Sequence, residues 1–372
     1  PFRRPNTPTL RYPDMLKAPL FRKILLSSGL VLLAGAAVLA ALWQSIPLDL
    51  QRLDSPSASP ALFDCEGKLF HLRLSSESEW RLPIPLAEMG PWLPRIAVGV
   101  EDGRFYSHRG IDLMAIARAT AQNAAARRVV SGASTITSQL IRLAVSERET
   151  EEGASSLVRR PRTLATKVRE FILALKLERV LSKEQILERY LNLAPFGGNI
   201  RGVQAASLIY FGKPAFRLSP SEACLMIGML KGPTLYRPDT RPAAARERRD
   251  AIIRLMERKG VFTREAAERA LLEELPRGRT APPLRAWHFA EMVLGGRSER
   301  AGSIATSLRL DLQTRLESIL KQATRELPQD ITLAAGVVEN STARLVAWVG
   351  NARFGGRGTG AWVDCGLGLR SP

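Results

Sequence analysis

The sequence predicts a mainly α-helical protein with a membrane-spanning helix near its N-terminus and a mixed α+β segment at its end. Three observations carry this prediction. Residues 24–43 form an uncharged apolar run, residues 81–262 are rich in helical periodicity, and from Ile304 onward the pattern changes to short strands around one helix. At 372 residues the chain is long enough for two domains with a sizeable core.

The apolar run reads ILLSSGLVLLAGAAVLAALW and spans residues 24–43. A helix of this length is about 30 Å long, which is the thickness of the hydrocarbon core of a bilayer. Residues 1–23 carry six Lys or Arg residues against Asp14 alone, so the positive-inside rule places this tail in the cytoplasm and the body outside. A cleaved signal peptide and a buried core helix remain as alternatives.

The formal net charge of +18 indicates an anionic partner such as nucleic acid, a membrane surface or a phosphate. A body on the outer side of a membrane excludes nucleic acid from this set. The three cysteines, Cys65, Cys224 and Cys365, are widely spaced and form neither a metal-binding pattern nor an even disulfide set.

Local patterns divide the rest of the chain. A hairpin is predicted around residues 64–67, and helices are predicted where apolar residues recur at helical spacing within 164–180 and 186–191. After a connector rich in Pro and Arg, a strand, an amphipathic helix and a hairpin around residues 339–342 follow. The predicted divisions are a tail 1–23, a membrane helix 24–43, a linker 44–80, a helical domain 81–262, a linker 263–300 and a final segment 301–372.

Four stretches of the helical region carry candidate chemistry: VEDGRFYSHRG at 100–110, GASTITSQLIR at 132–142, the charged helical stretch 162–192, and APFGGNIRG at 194–202. Each alone has an ordinary structural explanation, such as a helix cap, an acid pair at a helix end or a surface ion pair. The Gly and hydroxyl residues at 132–135 also precede a helix, whose first N–H groups could bind an anion. Their fixed order indicates a functional set.

In this order the stretches resemble the family 51 glycosyltransferases, the peptidoglycan polymerase module of class A penicillin-binding proteins. The family pattern of an acid and Asp followed by Phe, His and Gly stands at Glu101 to Gly110, and its Gly-Gly-Ser-Thr-Ile-Thr-Gln-Gln pattern at Gly132 to Gln139. The Lys-x-x-Glu part of the family's Arg-Lys-x-x-Glu pattern stands at Lys167 to Glu170. The Ile-Leu-Glu-x-Tyr-Leu-Asn pattern stands at Ile186 to Asn192. The APFGGNIRG stretch is most similar to the 1C branch of that class.

The resemblance implies a lysozyme-like helical domain that polymerises lipid II into β-1,4 glycan strands, with inversion and release of undecaprenyl pyrophosphate. The attacking sugar hydroxyl needs a general base, and a partly buried carboxylate such as Glu101 suits that role. The leaving pyrophosphate needs cations. Arg142, Arg162 and Lys167 are expected to supply them, while Glu170 orients these cations or holds a divalent ion.

The resemblance also assigns the site residues. Glu101 and Glu170 are expected to be catalytic, and His108 and Gly110 to fix the loop that carries Glu101. The residues expected to contact substrate are Asp102, Phe105, His108, Ser134, Thr135, Gln139, Arg142, Arg162, Lys167, Asn192 and Arg201. No cofactor is expected to be required, and Mg²⁺ or Mn²⁺ near Glu170 is left open.

The sequence departs from the family pattern at three positions of the quoted motifs. Ala133 and Ser138 replace a Gly and a Gln, and Thr166 replaces an Arg. One cation of the pattern is therefore missing, which gives Arg162 more weight. These departures concern the affinity for the lipid-linked donor substrate rather than the general base, Glu101.

The implied partners are lipid II, the growing glycan strand, the membrane and other cell-wall synthesis proteins. The implied location is the inner membrane, with one span and a periplasmic body. Two other functions remain open at this point: a lysozyme-like enzyme that cleaves glycan, and a non-catalytic scaffold for wall synthesis.

Residues 304–372 resemble the start of a transpeptidase domain. The nucleophile of such a domain is the serine of a Ser-x-x-Lys motif, and Ser371, which is followed by Pro372, does not match it. The chain as given is therefore expected neither to cross-link stem peptides nor to react with penicillin. The predicted strands Leu333–Val338 and Leu345–Val349 are expected to be exposed.

Overall fold

A computed structural model of the chain describes residues 37, 40–50, 53, 58–128, 132–151, 163–295, 302–329, 331–355 and 362–367. The predicted membrane helix 24–43 lies outside these residues, apart from 37 and 40–43, which are helical. Within the described ranges, no helix combines the length and the apolar composition that a membrane span requires. The membrane helix therefore stays a prediction.

The described part of the chain is mainly helical, as the sequence predicts. Its α-helices are α1 (Trp92–Glu101), α2 (Leu113–Ala126), α3 (Ile136–Glu151), α4 (Leu164–Val180), α5 (Lys183–Leu193), α6 (Val203–Phe211), α7 (Pro220–Leu230), α8 (Pro242–Arg258), α9 (Arg264–Leu272), α10 (Trp287–Leu294) and α11 (Leu310–Ala323). Its strands are β1 (Ala61–Phe63), β2 (Leu69–Leu72), β3 (Trp80–Arg81), β4 (Ile200–Arg201), β5 (Ser303–Ala305), β6 (Ala335–Glu339) and β7 (Arg344–Val349).

The core of the helical body surrounds α7, which is apolar along nearly its whole length. Cys224, Met226, Ile227 and Met229 are all buried on it. α1 and α8 pack against α7, while α4 and α5 pack against α3. One continuous cluster of buried side chains joins the two groups of helices. The end of α1 lies where these two groups meet.

Local capping sets where these helices begin. The side chain of Ser182 accepts a hydrogen bond from Gln185 N–H and the side chain of Gln185 accepts one from Ser182 N–H, which is a capping box at the start of α5. Ser219 and Glu222 form the same arrangement at α7. Thr163 caps α4. The helical periodicity predicted for 164–180 and 186–191 is confirmed by α4 and α5.

Both predicted hairpins are present. β1 and β2 pair antiparallel, with Ala61 opposite Leu72, and β6 and β7 pair antiparallel around residues 340–343. β1 also pairs in parallel with β5, with Ala61 opposite Ser303. The first hairpin and the C-terminal segment therefore share one three-stranded sheet, which the sequence does not predict.

The expected exposure of the second hairpin holds for one strand only. Val338 on β6 is 53% exposed, whereas Val346, Ala347 and Val349 on β7 are buried because α11 packs on that strand. Residues 263–300 also differ from the expected linker, because they hold α9 and α10. Thr263 caps α9, which buries two alanines against the body.

The loop after α1 returns to the body at Gly110, which lies against α4. Its φ is +89°, and a Cβ at this position would lie 2.7 Å from the carbonyl oxygen of Ala174. Its own carbonyl oxygen accepts a 2.7 Å hydrogen bond from the hydroxyl of Thr135. The expected structural role of Gly110 is thus confirmed: only a residue without a side chain fits.

Gly110→Ala is expected to lower the melting temperature more than Gly67→Ala. Both glycines have positive φ, +89° and +78°, so both substitutions incur a conformational cost of about 1–2 kcal/mol. At Gly110 the new Cβ also meets backbone atoms, which adds about 1–3 kcal/mol of overpacking, whereas nothing lies within 4 Å at Gly67. Thermal unfolding of both variants tests this. Equal decreases in melting temperature for the two variants would show that the backbone of α4 at Ala174 moves to accommodate the new Cβ.

Candidate active site

Glu101 is the last residue of α1 and is half-buried. The final carbonyl groups of a helix lack partners within it. One of them, that of Gly99, accepts a 2.7 Å hydrogen bond from Nζ of Lys259, which follows α8. A cation at this end also suits the helix dipole. Lys259 therefore helps to hold the helix end that carries Glu101.

The carboxylate of Glu101 is bound by a side chain of α3. Nε2 of Gln139 donates a 3.0 Å hydrogen bond to Oε2 of Glu101. The other end of the same amide, Oε1, accepts a 3.2 Å hydrogen bond from the hydroxyl of Tyr190 on α5. The predicted site residues Glu101 and Gln139 are thus brought together, in contact with a tyrosine.

The neighbouring Asp102 is buried and binds two other segments. Nε2 of His108 lies 3.0 Å from each carboxylate oxygen, and the N–H of Ile136, the first residue of α3, donates to Oδ2 at 3.0 Å. His108 therefore links the loop to Asp102. These bonds engage the buried carboxylate of Asp102 within the protein, and its expected contact with substrate stays a prediction.

At the start of α3, two of the N–H groups that were expected to face an external anion already have partners within the protein. Asp102 already occupies the N–H of Ile136, and the hydroxyl of Thr135 accepts a 3.1 Å bond from the N–H of Ser138. Thr135 is buried, and this hydroxyl also donates to Gly110. Thr135 therefore caps the helix and supports the loop, while Ser134 is exposed.

Phe105, predicted to contact substrate, has no exposed surface. Nζ of Lys183 lies 4.4 Å from the centre of its ring. Lys183 also forms a 2.6 Å ion pair with Glu178, whose same oxygen accepts a 2.6 Å bond from Thr137. Phe105 belongs to the buried apolar cluster to which α3, α4 and α5 also contribute, so in this structure it anchors the loop.

The predicted cations lie along α3 and α4. Nε of Arg142 is 3.4 Å from Oε1 of Glu170, and the two side chains are 31% and 20% exposed. Lys167 is exposed, one turn before Glu170 on α4. Arg162 lies outside the described residues. Arg142 is thus partly exposed and paired with Glu170, while Lys167 is open to solvent. Their expected contact with the pyrophosphate stays a prediction.

Asn192 and Arg201, both predicted to contact substrate, also make contacts within the protein. Oδ1 of Asn192 accepts from the N–H of Ile84 at 3.1 Å and its Nδ2 donates to the carbonyl of Ile84 at 2.8 Å. Nε of Arg201, on β4, donates to Glu79 at 3.1 Å. Their contact with substrate stays a prediction.

Among the described residues, no group of three or more His, Cys, Asp or Glu side chains could hold a metal ion. The carboxylate of Glu170 is paired with Arg142. A Mg²⁺ or Mn²⁺ ion near Glu170 stays an untested prediction.

Two residues of the site were missed by sequence reasoning. Tyr190 falls within a predicted motif, but its helical spacing indicated only a core position. Burial raises the pKa of Tyr190 well above its ordinary value, Glu101 raises it further and Arg142 opposes this. The tyrosine is therefore a neutral neighbour of both. Lys259 had no local signal, because it contacts α1 across 160 positions of sequence.

Comparisons with known proteins identify relatives. Residues 67–257 match the family model described as Transglycosylase. The chain is 34% identical over 293 residues to penicillin-binding protein 1C of Escherichia coli (strain K12), covering 79% of this chain and 36% of that protein. It is 30% identical over 285 residues to penicillin-binding protein 1A of Aquifex aeolicus (strain VF5), covering 76% and 37%.

Among solved structures, penicillin-binding protein 1A from Haemophilus influenzae aligns with a TM-score of 0.34 and 17% sequence identity, over 76% of this chain and 37% of that one. The chain spans little more than a third of the length of these relatives.

Asp102→Asn is expected to lower the free energy of unfolding by about 1.5–3 kcal/mol, the contribution of hydrogen bonds to a charged group. The substitution removes an acceptor that joins His108 to the start of α3. Asp311→Asn, at an exposed position of α11, serves as the control and should change stability by about 0.5 kcal/mol or less. Urea unfolding of the detergent-solubilised chain measures both. Similar losses would contradict the structural role of Asp102.

Proposed function

Because the chain belongs to the transglycosylase family, we propose that it is a peptidoglycan glycosyltransferase, which polymerises lipid II into β-1,4 glycan strands. One observation carries the proposal. The half-buried carboxylate of Glu101 ends α1 and is held by the amide nitrogen of Gln139, so it is oriented and partly accessible. This is the arrangement that a general base requires.

In the proposed reaction, Glu101 accepts the proton of the attacking sugar hydroxyl as that oxygen bonds to the anomeric carbon of the donor. The bond from the anomeric carbon to the lipid-linked pyrophosphate breaks, and undecaprenyl pyrophosphate leaves with the electron pair. Attack from the side opposite the leaving group inverts the anomeric centre. The chain needs only one base for this step, because a pyrophosphate leaves without a proton.

The leaving pyrophosphate is stabilised by the cationic side chains of α3 and α4. Arg142 lies one turn beyond Gln139 on α3, and Lys167 lies one turn before Glu170 on α4. Glu170 orients Arg142 through their ion pair. Preorganised cations stabilise the charge that develops in the transition state. No step of the proposed reaction is assigned to a metal.

The proposed setting is the inner membrane, with residues 24–43 as the anchor, the tail in the cytoplasm and the body in the periplasm. Leu113 and Met114 at the start of α2 support membrane contact, because they are 74% and 66% exposed and Arg118 follows one turn later. Such a basic, apolar surface suits the boundary of an anionic bilayer. Other cell-wall synthesis proteins are proposed as partners.

The final segment, residues 301–372, is proposed to be the beginning of a transpeptidase domain. The change from helices to β5, α11 and the β6–β7 hairpin supports this division. The exposed face of β6 is consistent with a sheet that further strands would cover.

Incubation of the detergent-solubilised chain with lipid II tests the proposal directly. Formation of long glycan strands is the expected result. Release of soluble fragments from finished glycan would instead identify a lysozyme-like enzyme, and binding of lipid II without turnover would identify a scaffold.

Glu101→Gln is expected to lower kcat for polymerisation by about 10²–10⁴-fold, the usual contribution of a general base. The fold and lipid II binding should persist, because glutamine has nearly the same shape. The control is Glu268→Gln, at an exposed position of α9, which should leave the rate unchanged. Rate measurement with labelled lipid II checks both variants, and near-normal turnover by Glu101→Gln would rule out the mechanism.

Lys167→Ala is expected to lower kcat/KM roughly tenfold or more, because it removes a cation that binds the pyrophosphate. The defect should grow at low donor concentration and shrink as added salt weakens the wild-type interaction. Lys321→Ala, an equally exposed position on α11, is the control. A loss that depends on neither donor nor ionic strength would show that Lys167 only supports α4.

A further inference from the structure

The side-chain amide of Gln139 stands between a carboxylate and a phenol hydroxyl. Its nitrogen donates to the carboxylate of Glu101 at 3.0 Å, and its oxygen accepts from the hydroxyl of Tyr190 at 3.2 Å. The amide carries a donor at one end and an acceptor at the other. Reversing it would remove the donor from Glu101 and leave the hydroxyl proton of Tyr190 without an acceptor.

We propose that Tyr190 is a positioning residue for the reaction: it fixes the orientation of the Gln139 amide, so that a hydrogen-bond donor always faces Glu101. This inference deepens the proposed function and rests on it. The hydroxyl of Tyr190 is bonded to Gln139. It acts on the base through one intermediate side chain.

The reversed orientation of Gln139 is unfavourable on both sides. Oε1 would then face Oε2 of Glu101, and two acceptors would meet at hydrogen-bond distance without a proton between them. The hydroxyl of Tyr190 would lose the acceptor for its proton. Tyr190 is 2% exposed, so water does not replace that acceptor, and a buried polar group without a partner is costly.

Tyr190 is suited to this role because its own position is fixed. It lies on the buried face of α5 among Ile186, Leu187 and Leu191. The capping box of Ser182 holds the start of this helix, and the two bonds from Asn192 to Ile84 hold its end. Burial also keeps the phenol neutral by raising its pKa, so its hydroxyl remains a donor at the pH of the reaction.

The experiment compares Tyr190→Phe with Tyr210→Phe in the full chain in detergent. Tyr210 is a matched control: it is also 2% exposed in the same core cluster, and its hydroxyl donates at 2.8 Å to the carbonyl of Phe196, outside the site. Both substitutions remove one buried hydroxyl. Only Tyr190→Phe releases the oxygen of Gln139.

The first measurement follows the protonation of Glu101 directly and does not depend on enzymatic activity. The carboxyl carbons of glutamate are labelled with ¹³C, and the Glu101 signal is assigned by its loss in Glu101→Gln. A fixed N–H donor favours the charged carboxylate. In Tyr190→Phe the pH at which this signal titrates should therefore rise by about half a pH unit, a threefold change in proton affinity, and in Tyr210→Phe it should stay unchanged.

Other charged and titratable groups on the surrounding elements are the same in both variants. They are Asp102 and His108 after α1, Arg142 on α3, Glu170 and Glu178 on α4, Lys183 on α5 and Lys259 after α8. A difference between Tyr190→Phe and Tyr210→Phe in the pH at which the Glu101 signal titrates thus reports on the orientation of Gln139.

The second measurement is the pH dependence of kcat for lipid II polymerisation. Tyr190→Phe should lower kcat about three- to tenfold, the effect of one lost hydrogen bond, and move the acidic limb of the profile to higher pH. In a Gln139→Leu background, Tyr190→Phe should have no further effect on the limb, because the two changes act through one interaction.

An unchanged titration of Glu101 in Tyr190→Phe, or equal changes in both phenylalanine variants, would overturn the positioning role. Additive effects of Tyr190→Phe and Gln139→Leu would also overturn it. Absence of polymerisation by the wild-type chain would instead refute the proposed function, while the titration would still decide whether Tyr190 orients Gln139.

Discussion

The buried carboxylate of Asp102 is the contact on which the geometry of the site depends. It joins the end of α1, the loop at His108 and the first N–H of α3. The adjacent residue, Glu101, meets Gln139 one turn further along α3. The last residue of α1 and the residue that follows it thus contact two successive turns of α3, which fixes both the distance and the rotation between the helices. Neither helix can slide without breaking a buried charged hydrogen bond.

This arrangement separates the charges of the site by function. Glu101 receives its hydrogen bond from a neutral amide, whereas the cation Arg142, one turn further along α3, is paired with Glu170. A cation bound directly to Glu101 would hold its negative charge more strongly and make it a weaker proton acceptor. The second carboxylate, Glu170, therefore provides the arginine with an ion-pair partner other than Glu101.

Local sequence signals were enough to predict the helices and the ordered motifs. Thr163 and Ser182 cap helices through contacts within three positions, and such contacts can be read from the sequence. Contacts between residues that are far apart in the sequence could not be predicted in this way. Asn192 reaches Ile84 across 108 positions, and Phe105 is an anchor because it is buried in the same apolar cluster as side chains of α3, α4 and α5. Motif membership showed that these residues matter, but only packing shows that they support the site.

The parallel pairing of β1 with β5 has a consequence for how the chain is made. These strands are separated by about 240 residues of sequence, and nearly all of the helical body lies between them. At a synthesis rate of roughly 5–20 residues per second, β1 waits on the order of 10–50 s for its partner to be made. During that time the hairpin offers an unpaired edge, which other chains could join. The helical body has time to fold first, and the later strand then closes the structure around a site that is already assembled.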